Sequence, residues 1–480
     1  MTRVQRTRSW LRSPALWLVS LWILWIPVPL GSNRPWAEAI LVAMANLALF
    51  VWLIETQLQR QPIAALRESK ILRWLCVWLT WTGLQIVPMP LSWLEVISPF
   101  AAHTWEIAGK TDFGTISIDP YRSASRWWLT EAFVTIVWVV LESGQSSHVR
   151  RWLLGCLALS ASLQAFGGSL MLLAGESLVW FGETLSTGAR ASGTYPSPDH
   201  FAGLMILGGA ASFGMLVTGP RIAWGSRPVI WVRNAIDWLL SPKATVRVML
   251  GVIVIGVVLS RSRLGVTAFF SALVITAVLL LVVARLRQHK GSWRLVALLV
   301  SILVFDIWVV SNWFGLEKVV ERLEQTQLQE DARAEVLPAY PPAIERYFWV
   351  GSGLGTFEFS FPPFRPAHVG GAFRHAHNDY AQFAIETGLI GCLILMGIVI
   401  TTTRRTWRLL VDSHSKSAKA VAVAWFYALA GLALHSVGDF NLQIPANAGL
   451  FMILIGLANA CHLRSNRPEA RSFAHSATDG

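Results

Sequence analysis

Charged side chains are scarce in this chain of 480 residues, since Asp, Glu, Lys and Arg together make up only 14%. Soluble globular proteins carry about 25%. Hydrophobic residues reach 54%, and the mean hydropathy is +0.49. So few charges cannot cover a water-exposed surface, which excludes most soluble enzyme folds. The composition predicts an all-α polytopic membrane protein, because helices satisfy their own backbone hydrogen bonds in lipid.

Cysteine is also rare. The four cysteines, Cys76, Cys156, Cys392 and Cys461, each lie in an apolar run. Buried thiols without partners are typical of such positions, so we expect no disulfide, no zinc site and no cofactor. The formal net charge of +12 could indicate nucleic-acid binding. Membrane proteins, however, concentrate Lys and Arg in their cytoplasmic loops. We therefore interpret the charge as a topology signal and expect no nucleic-acid partner.

Apolar runs are candidate spanning helices, because about 20 residues cross the hydrocarbon core. Twelve are present, at 14–30, 36–54, 71–90, 124–142, 152–174, 200–218, 245–260, 264–284, 295–313, 383–403, 419–437 and 441–462. The first run follows four arginines but precedes no small-residue cleavage motif, so we expect an uncleaved span. Counting Lys and Arg gives 27 on the side of the termini and 13 on the other, six of these in one long loop. This excess predicts cytoplasmic termini.

One segment between the spans and three loops are also informative. Residues 225–241 mix Trp with charged residues, which favours a helix lying in the cytoplasmic interface. Three loops are expected outside, at 91–123, 175–199 and 314–382. In the longest, residues 315–336 have a helical apolar stripe, and Pro341-Pro342 can begin a second short helix.

The densest polar group is HAHNDYAQFAIETGLIG (375–391), where the long outer loop enters a span. It contains His375, His377, Asn378, Asp379, Tyr380, Gln382 and Glu386. A helix starting at 378 would put the two acids and Gln382 on one face. A histidine here can act as a general base near neutral pH. Two alternatives stay open, a polar collar that caps the helix and a metal site on His-x-His-x-Asp.

Arginines at the same boundary suggest an anion site. Arg190 is the only basic residue of its loop, in RASGTYPSPDHFAG, and Arg261 and Arg263 lie in SRSRLG, a turn between two spans. Single outer arginines often anchor lipid headgroups. If they converge with the histidine cluster, their guanidinium groups can bind a diphosphate bidentately.

Two more motifs have simple interpretations. His435 and Asp439 in HSVGDFNLQIPAN are spaced i, i+4 and can hydrogen-bond to each other. GSGLG at 351–355 imitates a nucleotide-binding loop, but it follows a helical stretch outside the membrane instead of a strand. We interpret it as a tight turn.

These motifs in this order resemble the O-antigen ligase and polymerase superfamily of bacterial membrane glycosyltransferases. The resemblance covers roughly residues 185–460, and H-x-H-N-D-Y is its most specific part. It implies an N-terminal membrane region at 1–184, a catalytic transmembrane region at 185–462 containing the loop 314–382, and a cytoplasmic tail at 463–480.

The resemblance also implies metal-independent glycan transfer from an undecaprenyl-diphosphate carrier at the periplasmic face of the bacterial inner membrane. The essential histidine of the family maps to His377, and its diphosphate-binding arginines map to Arg190 and Arg263. The chain departs from the family at Asp199, where Asn is common, and at Leu337, where a Trp usually follows the loop arginine, here Arg333.

The residues support this chemistry on physical grounds. Attack at an anomeric carbon needs a base for the hydroxyl proton and cations for the departing diphosphate. Direct displacement would invert the anomeric centre. The expected partners are the lipid-linked donor, a glycan or lipid acceptor, and membrane lipids. Alternatives are a ligase that transfers glycan to protein hydroxyls, a polysaccharide or lipid transporter, and a scaffold protein. One-sided polar residues speak against alternating access.

Overall fold

A computed structural model describes residues 13–59, 69–175, 178–185, 190–218, 242–287 and 335–461. Up to residue 185 these contain α1 (Pro14–Trp25), α2 (Pro35–Leu58), α3 (Lys70–Leu84), β1 (Met89–Pro90), α4 (Leu91–Ile97), α5 (Pro99–Ile107), β2 (Phe113–Gly114), α6 (Pro120–Ser143), α7 (Ser147–Ala174), β3 (Leu178–Trp180) and β4 (Glu183–Leu185). Beyond it follow α8 (Pro198–Thr218), α9 (Pro242–Leu259), α10 (Arg263–Leu286), α11 (Tyr340–Arg346), α12 (Phe357–Ser360), α13 (Asp379–Asp412), α14 (Lys416–His435) and α15 (Pro445–Ala460). Short 3₁₀ turns lie at Leu30–Ser32, Leu337–Ala339, Pro362–Phe364 and Asn441–Gln443.

The all-α membrane architecture is confirmed. Seven described helices are long and apolar enough to cross a bilayer, namely α2, α6, α7, α8, α10, α13 and α14. Three shorter apolar helices correspond to α1, α9 and α15. Eleven of the twelve predicted spans coincide with a described helix. The twelfth, 295–313, and the interfacial segment 225–241 lie outside the described residues, so the total of twelve stays a prediction.

Prolines shorten two of the predicted spans. The first run was expected to be helical to residue 30, but α1 ends at Trp25, before Pro27 and Pro29. The third was expected to reach residue 90, but α3 ends at Leu84, before Pro88 and Pro90. Proline lacks the N–H that helix continuation requires, and it disfavours helical geometry in the residue before it.

Helix α8 lies at the centre of the bundle, and most of its side chains are buried. It packs against α7, α9, α10 and α14. Glycines make this possible: Gly208 contacts Ala161, and Gly214 contacts the backbone at Ala420. Added side chains would clash at both positions, as is typical of close helix packing in membranes.

The predicted site residues that the structure describes lie where α8, α10 and α13 begin and α14 ends, which we call the site end of the bundle. Two small apolar clusters cover this end. The first joins the segment 336–369 to the start of α13. The second joins α4 and α5 to Ile116 and Val350. Two-stranded antiparallel hairpins, β1–β2 and β3–β4, complete this end.

Candidate active site

A buried carboxylate, Asp439, is the centre of the candidate site. It lies in the loop between α14 and the 3₁₀ turn at 441 and is only 3% exposed. Three imidazoles surround it. His200 Nε2 lies 3.5 Å from Oδ1, His435 Nε2 lies 3.5 Å from Oδ2, and His377 Nδ1 lies 4.0 Å from Oδ1. Asn441 Nδ2 donates to Oδ2 at 3.0 Å. The predicted His435–Asp439 pair is therefore one side of a larger cluster.

Asp439 is held in its charged form. Burial by itself would raise the pKa of this carboxyl group, but the charges of His200 and His435 and a hydrogen bond from His200 outweigh it. The pKa of Asp439 consequently lies below its ordinary value. A carboxylate that stays ionised at neutral pH can stabilise positive charge on a neighbouring imidazole.

His377 has an unusual backbone. Its φ is +46°, in the left-handed region that few residues other than glycine adopt. The next residue, Asn378, caps α13 by accepting from the Ala381 N–H at 2.9 Å, and it donates to the Val437 carbonyl at 3.0 Å. These bonds tie the residue after His377 to the loop that carries Asp439. Strained backbone of this kind is often found at functional sites.

His375 contacts the ring of Phe440, which two other histidines also contact. It stacks on Phe440 with the ring centroids 4.2 Å apart, whereas His200 and His377 meet the same ring edge-on at 4.4 Å and 4.7 Å. His375 Nδ1 also lies 3.2 Å from Gln382 Nε2. Burial, with the nearby charge of Arg126, lowers the pKa of His375 to about 3. This imidazole is therefore neutral at physiological pH.

Asp379, Gln382 and Glu386 share one face of α13, as predicted, and all three side chains are buried. Gln382 Oε1 accepts from the Ala376 N–H at 3.1 Å, and Gln382 Nε2 donates to Glu386 Oε1 at 2.9 Å. The same Glu386 oxygen accepts from the Phe357 N–H at 3.2 Å. Asp379 instead accepts from Ser436 at 2.7 Å and from the Leu442 N–H at 3.1 Å. These hydrogen bonds join the start of α13 to the neighbouring loops.

Helix α13 is broken at Gly388, whose φ is +65° and ψ is −172°. The freed carbonyls of Ile385 and Glu386 accept from the N–H groups of Ser352 and Gly353 at 2.9 Å and 3.0 Å. On the other side of the break, Leu389 N–H donates to the Phe348 carbonyl at 2.6 Å. The glycine segment 351–355 is a turn, as predicted, and it replaces the hydrogen bonds that the break removes.

Arg190 is close to the predicted turn between α9 and α10. Its Nε donates to the Ser260 carbonyl at 2.9 Å, and its Nη2 pairs with Asp199 at 2.9 Å. A guanidinium has five N–H donors, so these two bonds leave others for an anion. Arg263 is the first residue of α10. The next residue, Leu264, packs against Gly438, directly before Asp439. Both arginines therefore come from segments at the site end.

Other predicted site residues have structural contacts. Tyr380 is exposed and donates to the Ala433 carbonyl at 2.8 Å. Arg333 and most of the predicted helix 315–336 lie outside the described residues. The short helix predicted after Pro341-Pro342 is α11, which begins slightly earlier, at Tyr340.

The alternative of a metal site on His375, His377 and Asp379 has no geometric support, because these side chains contact Gln382, Asp439 and Ser436 respectively. Among the described residues, no group of three or more His, Cys, Asp or Glu side chains is arranged to hold a metal ion.

Sequence reasoning missed five contributors. His200 and Phe440 contact the predicted histidines, as described above. Asn441 connects Asp439 to Asn447, whose Oδ1 accepts from the buried Tyr195 hydroxyl at 3.1 Å. All of these lie inside the two motifs already singled out, RASGTYPSPDHFAG and HSVGDFNLQIPAN, or directly at their ends. For all of them except Phe440, a polar residue within an apolar segment was the available signal.

The fold and this cluster define a polytopic membrane protein with a histidine–carboxylate site at one end of its helix bundle. Residues 248–396 match the family model described as O-antigen ligase. This match confirms the resemblance to the O-antigen ligase superfamily, and it indicates glycan transfer of the ligase or polymerase type. The matched region contains Arg263, His377 and the break at Gly388. A search of curated proteins found no match to the chain.

Proposed function

We propose that this protein transfers or polymerises a glycan from an undecaprenyl-diphosphate carrier onto a lipid core or another glycan repeat. The observation that carries the proposal is the pairing of His377 with the buried Asp439 at the same end of the bundle as Arg190. We place the reaction at the periplasmic face of a bacterial inner membrane, with both termini in the cytoplasm. The excess of Lys and Arg in the opposite loops supports this orientation.

In this mechanism His377 is the general base. Its Nδ1 faces Asp439, so Nε2 on the far side of the ring accepts the proton of the acceptor hydroxyl. The acceptor oxygen then forms a bond to the anomeric carbon while the bond from that carbon to the diphosphate oxygen breaks. Asp439 stabilises the imidazolium that forms, as the third group does in related nucleophile–base–acid arrangements. Direct displacement inverts the anomeric centre.

Arg190 and Arg263 hold the leaving diphosphate. Negative charge grows on its oxygens as the bond breaks, and fixed guanidinium donors stabilise that charge without reorganising. The Ser260 carbonyl accepts from Arg190 Nε at 2.9 Å and Asp199 pairs with Nη2 at 2.9 Å, so the guanidinium keeps further N–H donors for phosphate oxygens, for which the Asp199 carboxylate competes. A diphosphate is a good leaving group, so the reaction needs no general acid.

The decisive test replaces the base without disturbing its backbone. Asn tolerates the left-handed conformation better than most residues, so His377→Asn should fold and insert normally. We expect its turnover to fall by about 10²–10⁴, which is typical for loss of a general base. The assay uses purified protein in nanodiscs, with the lipid-linked glycan that accumulates in cells lacking the protein. Wild-type turnover in a well-folded His377→Asn variant would disprove the assignment.

The arginine roles have their own test. We expect Arg263→Lys and Arg190→Lys to impair turnover, because lysine keeps the charge but cannot bind two phosphate oxygens in one plane. Arg261→Lys, in the same turn, is the matched control and should retain activity. Turnover should survive EDTA. Loss of activity in EDTA together with mild effects of both lysine variants would favour the metal alternative.

A further inference from the structure

The segment between α3 and α6 forms a small platform at the site end, which we define as residues 85–119. It contains α4, α5 and the hairpin β1–β2. Its inner side has its own apolar core, formed by Leu91, Leu94, Ala101, Ala102, Ile116 and Val350. Trp105 closes this core by covering Gly114 and donating to the Thr115 carbonyl at 2.9 Å. The platform is therefore packed against the membrane domain and is not a loose loop.

Helix α4 has a second apolar face that none of the described residues covers. Trp93, Val96 and Ile97 are 65%, 83% and 41% exposed, at the i, i+3 and i+4 spacing of one helix face. The inner face carries Leu91 and Leu94. A helix with apolar residues on two sides is normally buried or in contact with lipid.

Several polar residues of the platform line a cleft that is separate from this apolar face. Ser92 and Glu95 of α4 line an open cleft with Glu106, Lys110 and Asp112. The outer surface is thus divided into an apolar face on one side of α4 and a charged cleft on another. This division is typical of a helix at a water–lipid boundary.

We infer that the exposed face of α4 lies in the interfacial layer of the phospholipid bilayer and anchors the platform there. Two observations select lipid as the occupant. Only six residues separate α3 from α4, so α4 stays near the end of a membrane helix. Neighbouring segments also expose apolar side chains, namely Leu84 at the end of α3, Val87 after it and Trp128 on α6. Tryptophan favours this layer because one ring combines an apolar body with a polar N–H.

The anchor is connected to the candidate site through side-chain and backbone hydrogen bonds. Gln85 Nε2 donates to the carbonyls of Val350 at 2.8 Å and Glu386 at 3.0 Å, across the break in α13. Ile118 N–H donates to the Ser352 carbonyl at 3.0 Å. The depth of α4 in the bilayer therefore sets the depth of segment 350–352, which lies against the break in α13. The importance of this depth for a membrane-bound diphosphate rests on the proposed function. The membrane anchor itself does not depend on that function.

The test measures depth directly, with the full chain in vesicles of phosphatidylethanolamine and phosphatidylglycerol. In a variant with its four cysteines replaced by alanine, an environment-sensitive fluorophore is attached at Val96→Cys. The matched control is Glu95→Cys, one residue away on the cleft side. We expect lipids that carry a spin label near the headgroup to quench the probe at 96 several-fold more than the probe at 95. A water-soluble quencher should show the reverse order.

Three results would overturn the inference: equal lipid quenching at both positions, stronger aqueous quenching at 96, or protection of 96 from both quenchers. The last would mean that protein, such as a second copy of the chain, covers the face. None of these measurements uses glycan transfer, so their outcome is independent of the proposed reaction. A second variant, Val96→Glu, should move the probe at 95 towards water if the anchor sets the depth. Unchanged quenching at 95 would contradict that role.

Discussion

Replacing Asp439 by Asn should slow turnover strongly while leaving donor binding intact. The carboxylate is 3% exposed and lies 4.0 Å from His377 Nδ1. It is ionised at neutral pH, because neighbouring histidines hold its pKa below the ordinary value. When His377 accepts a proton in the transition state, the two groups become an ion pair. The amide in the Asp439→Asn variant is neutral and would provide no such stabilisation.

The size of the effect follows from the distance. Two unit charges 4 Å apart interact by about 4 kcal/mol at the effective dielectric of a partly exposed protein site. His377 is 28% exposed, so solvent screening reduces this figure, and we take about 2–4 kcal/mol. Each 1.4 kcal/mol is about tenfold in rate, so kcat should fall by roughly 30- to 10³-fold. The KM for the donor should change little, because the free enzyme binds donor before this charge develops.

The assay compares kcat and KM of purified protein in nanodiscs with a matched control, Asp379→Asn. Asp379 is similarly buried and lies in the same group of loops, and its carboxylate accepts from Ser436 and from the Leu442 N–H. We expect this control to lower the melting temperature and to retain most of its kcat. The reasoning is refuted if Asp439→Asn retains normal kcat, or if both variants lose kcat equally at matched amounts of folded protein.

Three further predictions concern the neighbours of this pair. Phe440→Leu removes the ring that contacts His200, His375 and His377, and at about 0.5–1.5 kcal/mol for each of these three aromatic pairs it should lower stability by about 1.5–4.5 kcal/mol in thermal unfolding. Phe440→Tyr, which keeps the ring, should be milder. Asp199→Asn removes a negative charge beside Arg190, so the donor KM should fall by up to about fivefold, the equivalent of about 1 kcal/mol for a partly exposed pair. An unchanged or higher KM would contradict a diphosphate role for Arg190. His375 has a pKa of about 3 in the folded protein, so below its ordinary pKa of 6.5 the unfolded chain binds a proton that the folded chain does not. Stability should therefore decrease as pH falls from 7 to 5, and His375→Gln should show a smaller decrease in melting temperature over that range.

Features that depend on neighbours along the chain could be read from the amino-acid sequence. Apolar length predicted the seven described helices that are long enough to cross the hydrocarbon, whatever they pack against, and it also located four shorter ones. Asn378 was placed at the start of α13, and its capping bond to Ala381 needs only local geometry. The common face of Asp379, Gln382 and Glu386 follows from the period of the helix alone. The resemblance that named His377 depended on the same short, local motif.

What these side chains contact depended on packing between distant segments. Asp379 is only two residues from His377 in the sequence, but in the folded protein its carboxylate accepts from Ser436. Asp439, from a distant segment, lies beside the histidine instead. His200 meets Asp439 only because α8 lies in the centre of the bundle and its first turn reaches the loop after α14. The break in α13 is likewise stable only because the distant segment 348–353 supplies the missing hydrogen bonds. A local pattern encodes the conformation of each segment, whereas the partner of a buried polar group is decided when helices far apart in the chain pack and exclude solvent from it.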